Sequence, residues 1–215
     1  MESKPPHVKP GPTSQPGAPL PTERRPALSR TDQPPRLPTA RLEAQQATRR
    51  LGAAFAQEPE LISACLEGAA HRPPGWAKRV LSAAELALVG RPDYADLNYH
   101  ASRAALAAGE YETAARLLEQ ALRVNPAYHD ALVLAARLEI RRGRACAARR
   151  RLEAALACGA DYPDVHTLLG DVCRQEGDCS RARQSYERAL ALNGSLAEAR
   201  AALAELPPAP AGRKP

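Results

Sequence analysis

The residue types that most often carry chemistry are sparse in this chain and irregularly placed. Five histidines, His7, His71, His100, His129 and His166, share no metal-binding spacing. There is no glycine-rich phosphate loop and no serine, histidine and aspartate set fit for nucleophilic catalysis. The sequence therefore gives no support to an enzyme, a cofactor or a bound metal. Five cysteines form an odd set without the dense spacing of a secreted disulfide framework, which points to reduced thiols and a cytoplasmic setting.

Charge is the richer signal. Arg141, Arg142, Arg144, Arg149, Arg150 and Arg151 form a run that Arg181, Arg183 and Arg188 continue. Of these, Arg141, Arg142, Arg144, Arg150, Arg151, Arg181 and Arg188 make a candidate anion patch, able in principle to meet phosphate, acidic protein or anionic lipid. Glu139, Glu153, Glu176, Asp178 and Glu187 lie close enough in sequence to neutralise much of it. Aromatic residues are only 4% of the chain, so no platform for stacked bases is expected and nucleic acid is not the expected partner.

The elements that would position these groups follow from composition and periodicity. Of 215 residues and 21 prolines, the first 38 residues hold 11 prolines, six basic residues and three acidic ones. Such a stretch buries too little apolar surface to offset its ordering entropy, so residues 1–38 are expected to be disordered, as are residues 207–215. Pro16-Gly17-Ala18-Pro19 and Pro35-Arg36-Leu37-Pro38 have the spacing of an extended left-handed helix but read better as a flexible basic linker. Between the tails, residues 39–206 are nearly balanced in charge, so most of the net +6 lies outside them. No apolar run is long enough to span a membrane.

Within residues 39–206 the sequence repeats. Gly75, Gly109, Gly143 and Gly177 are each 34 residues apart, and each is followed twelve residues later by Ala-Leu, at Ala87, Ala121, Ala155 and Ala189. Small residues recur at Val80, Ala114, Ala148 and Ala182, and at Gly68, Ser102, Ala136 and Gly170; Tyr94, Tyr128 and Tyr162 keep the same period. Apolar positions at steps of three and four predict two helices per unit, with the glycine supplying a left-handed residue that closes the first. Short side chains at the crossings let the paired helices approach closely.

The segment G-E-Y-E-T-A-A-R-L-L-E-Q-A-L-R-V-N-P, Gly109 to Pro126, resembles the tetratricopeptide repeat, as does Gly177 to Asn193. The alanine- and arginine-rich composition agrees with a bacterial-type member. The resemblance implies an all-α, right-handed superhelical solenoid of about four antiparallel helix pairs: units 61–94, 95–128, 129–162 and 163–196, the first degenerate. A helix near 40–56 precedes them and a closing helix near 196–206 follows. Ala160 and Gly194 stand where the family usually has proline.

It also implies which side chains line the inner wall. These are Asp96, Tyr99, His100 and Arg103 in the second unit, and Asp130, Val133, Leu134 and Arg137 in the third. The fourth contributes Asp164, Thr167, Leu168, Asp171 and Arg174. An arginine row with apolar anchors suits a peptide or helix of a partner protein with some acidic character. Asp96, Asp130 and Asp164 fall in first helical turns, where a carboxylate offsets the helix dipole. The lysine and asparagine clamp by which some members hold chaperone C-termini is absent. Cys173 and Cys179 replace packing tyrosines and lie near enough in sequence to pair; Cys158 is expected to face inward, and Cys146 outward as the most reactive thiol. The expected role is a non-catalytic scaffold, with an anion-binding module and a dedicated subunit chaperone as alternatives.

Overall fold

The computed structural model describes residues 38–67 and 72–207. The N-terminal proline-rich stretch up to residue 37, Gly68, His71 and the stretch from 208 onward lie outside the described residues. Among the described residues ten helices follow one another: α1 (Pro38–Gln57), α2 (Glu60–Leu66), α3 (Trp76–Gly90), α4 (Ala95–Ala107), α5 (Tyr111–Val124), α6 (His129–Arg141), α7 (Ala145–Ala157), α8 (Pro163–Gln175), α9 (Cys179–Leu192) and α10 (Ala197–Glu205). No strand occurs among the described residues.

The connections explain the pairing. At Gly109 the backbone turns left-handed, φ +79°, Gly109 N–H donates to the Leu106 carbonyl at 3.1 Å, and Glu110 N–H reaches back five residues to Ala105 at 2.8 Å. This closing motif satisfies the last carbonyls of α4 and reverses the chain within three residues. The pairs α4/α5, α6/α7 and α8/α9 pack most extensively, each second helix then meeting the first helix of the next unit.

Two joints depart from that pattern. Gly75 is also left-handed, φ +77°, but it precedes α3 as its N-cap instead of closing α2, which ends at Leu66. Gly159, outside the 34-residue series, closes α7 with the same pair of bonds as Gly109, Gly159 to Leu156 and Ala160 to Ala155, each 3.0 Å. That turn stops the helix where the family's proline is missing.

The core is built from exchanged volumes. Ala114, Ala121, Ala148, Ala155, Ala182 and Ala189 are fully buried at helix crossings. In the last pair the exchange is extreme: a Cβ on Gly170 would lie 2.5 Å from the ring of the fully buried Tyr186. At α1, Gly52 lets the backbone approach Ala83 of α3, where a Cβ would meet the carbonyl oxygen at 2.9 Å. No helix among the described residues is long and apolar enough to cross a membrane.

Candidate functional site

The thirteen predicted wall residues sit on α4, α6 and α8, and none of them is buried. The register explains why. Positions two, five, six and nine of each first helix share a stripe, whereas Leu97, Ala101 and Ala104 of α4 turn into the core. Leu134 and Leu168 meet Leu106, Leu138 and Ile140 around a hollow of about 240 Å³, edged by Arg137 and Arg141. Three successive first helices thus contribute to one apolar depression.

Polar groups on the wall are tied across repeats. Ser63 of α2 accepts from Arg103 Nη1 at 2.5 Å and lies 2.7 Å from His100 Nδ1. Burial, followed by the Arg103 charge, pushes the His100 pKa below its usual value. A neutral ring accepting from the Ser63 hydroxyl fits both facts. Tyr99 and Tyr128 lie ring to ring at 5.1 Å. Burial raises the pKa of both, and the Asp96 carboxylate, hydrogen-bonded to Tyr128, adds to the rise there. Arg137 pairs with Asp164 at 3.1 Å, and Arg174 lies 4.0 Å from Asp171 and 3.9 Å from Glu205. Asp171 also accepts from the Tyr186 hydroxyl, whose pKa is pushed up to about 12 by burial and by this bond. Thr167 spends its hydroxyl on the Pro163 carbonyl at 2.9 Å.

Asp96, Asp130 and Asp164 do occupy first turns, but no side chain caps α4, α6 or α8; among the described residues the one side-chain cap is that of Asp178 on α9, accepting from Arg181 N–H at 3.0 Å. Their effect on these helices is electrostatic.

The candidate anion patch is largely self-neutralised. Arg142 bonds Glu112 at 2.8 Å, Arg144 Glu139 at 2.5 Å and Arg181 Asp178 at 3.3 Å. Arg151 pairs with Glu119 and Arg188 with Asp161. Arg141 lies over the Tyr111 ring at 4.9 Å. Among the described residues, Arg150 alone of the seven has neither an ion pair nor a side-chain hydrogen bond.

The cysteine expectations need two corrections. Cys158 is exposed, because it caps α7 at its C-terminal end instead of lying on the inward face. Cys146 is exposed as expected, yet the Glu176 carboxylate hydrogen-bonded to it raises its pKa, so its thiolate is scarcer than exposure alone suggests. Cys173 is buried and Cys179 half-buried, both as free thiols.

Sequence reasoning missed Ser63, Leu106, Tyr128, Leu138 and Ile140. The recurrence of Tyr128 was visible but reads as a helix-start marker. Leu106 and Ile140 are themselves 34 residues apart, and that was the available signal.

A family model described as tetratricopeptide repeat matches residues 105–172, and a second of the same description matches 163–196. Residues 105–196 belong to the tetratricopeptide repeat family. Solved structures with this repeat architecture agree in fold. MamA from Desulfovibrio magneticus is 16% identical with a TM-score of 0.60, covering 73% of this chain and 81% of that chain. A thermophilic tetratricopeptide repeat protein of Thermus thermophilus is 21% identical, TM-score 0.54, covering 77% and 91%. PilF of Pseudomonas aeruginosa is 21% identical, TM-score 0.55, covering 77% and 68%. No curated protein gives a significant sequence match. The described helices form the all-α, right-handed superhelical solenoid of this repeat family.

Proposed function

We propose that this chain is a non-catalytic scaffold that holds a segment of a partner protein against the concave wall formed by α4, α6 and α8. Tetratricopeptide repeats in general mediate protein–protein interaction. The observation that carries the reading to this wall is the depression between Leu106, Leu134, Ile140 and Leu168, an apolar hollow spanning three repeats and rimmed by charged groups. Apolar anchors surrounded by polar rims are the arrangement from which protein interfaces draw most of their energy.

The test is capture of partners by the full chain at moderate salt, compared with two variants. Leu134→Glu places a charge in the hollow and should reduce capture at least ~10-fold, while Arg150→Glu, away from the wall, should leave it unchanged. Capture that survives Leu134→Glu but disappears with Arg150→Glu or at raised salt overturns the reading in favour of anion binding by the arginines.

A further inference from the structure

The charges along the wall are ordered, and their order narrows the occupant. Asp96, Asp130 and Asp164 lie in the first turns of the three first helices; Arg103 and Arg137 lie seven residues further along α4 and α6, while the same place on α8 holds Asp171, whose carboxylate accepts from the Tyr186 hydroxyl and lies 4.0 Å from Arg174. At 1.5 Å per residue the two rows are anchored to the backbone about 10 Å apart along the helix axes. Between them run Tyr99, Val133 and Thr167, then His100, Leu134 and Leu168. An α-helix with its side chains is about 10–12 Å across, whereas an extended strand is narrower and would meet one row only. The rows therefore have the separation of the two flanks of a helix lying on the leucines.

We propose, resting on the groove reading above, that the wall receives an amphipathic helix of the partner. Its apolar seam lies on Leu134 and Leu168, a Lys/Arg flank faces Asp96, Asp130 and Asp164, and an Asp/Glu flank faces Arg103 and Arg137. The Arg137–Asp164 pair now spans the two rows, with both side chains more than half exposed. Exposed pairs of this kind contribute little, so the docked helix can replace each end with an opposite charge of its own. Because reversing a helix on the wall exchanges its left and right flanks, complementary charges also set the direction in which the partner lies.

Two fluorescein-labelled peptides of about 18 residues, long enough for about five turns, provide the probe. Both carry the same leucine seam and the same lysines and glutamates. In one the lysines occupy one flank and the glutamates the other; in the second the two alternate on both flanks. Fluorescence anisotropy with the full chain should show the segregated peptide binding at least ~10-fold tighter. Asp130→Lys should weaken the segregated peptide ~5-fold or more and leave the alternating one nearly unchanged. Leu134→Glu should weaken both, with circular dichroism confirming that the variants keep their helix content. Equal affinities, indifference to Asp130→Lys, or no binding by either peptide overturns the helix-flank proposal. If the peptides bind equally but Leu134→Glu weakens both, the groove reading stands alone; indifference of both to Leu134→Glu removes the groove as well.

Discussion

Ser63 shows how one hydroxyl can organise a charged wall. It joins Arg103 to His100 across some forty residues of chain, and the histidine is left neutral because protonation would turn its accepting Nδ1 into a donor beside a guanidinium. The pKa of His100 is depressed below 6.5. The unfolded chain therefore takes up the proton first as pH falls. The contribution of neutral His100 is fully present above about pH 6.5 and is lost as pH drops toward the folded-state value. Thermal melts between pH 7.5 and about pH 5 should show the wild type losing more stability than His100→Gln; parallel curves would sink the assignment. None of this was readable in advance. The sequence placed His100 and Arg103 on the wall through the repeat, but Ser63 lies in the degenerate first unit, where the period gives no guide to side-chain direction.

At the scale of elements, periodicity carries most of the information. The 34-residue spacing locates α4 through α9 because each unit repeats the same two amphipathic faces and the same closing glycine. It fails at the joints, where chemistry is local. Gly75 keeps the register but serves the start of α3, since the preceding helix has already ended at Leu66. Gly159 lies out of register and does the work of the absent proline. Nothing within 4 Å would meet a Cβ at Gly159, so Gly159→Ala tests the backbone alone. With φ at +94° the substitution should cost about 1–2 kcal/mol in denaturant unfolding. Gly194→Ala, at a glycine outside the positive-φ set, should change stability by less than ~0.5 kcal/mol. Equal effects at the two sites would show that α7 does not depend on its closing turn.

For the molecule as a whole, stability should be graded along the array. Each unit packs only on its neighbours, and the buried residues separate into a long cluster from Phe55 to Val172 and a small one formed by Cys173, Ala182, Tyr186, Ala189, Ala199 and Leu206. Amide hydrogen exchange should find α10 and the second half of α9 opening at free energies below those of α4 to α6. Uniform protection across α4 to α10 would mean that the two clusters unfold as one. An opening end would leave the wall of α4 and α6 assembled, so partner capture should persist under mild denaturant that has already released α10.

The Gly170–Tyr186 fit bears on how such a chain can change. At the corresponding places in the sister units stand the buried pairs Ser102 with Leu118 and Ala136 with Leu152, and in the fourth unit Gly170 with Tyr186 shifts the bulk onto the second helix. A hairpin half transplanted from a sister unit would then bring either a clash or a void. The repeats look interchangeable by their spacing, but recombination within this array can succeed only when both halves of the fourth hairpin travel together.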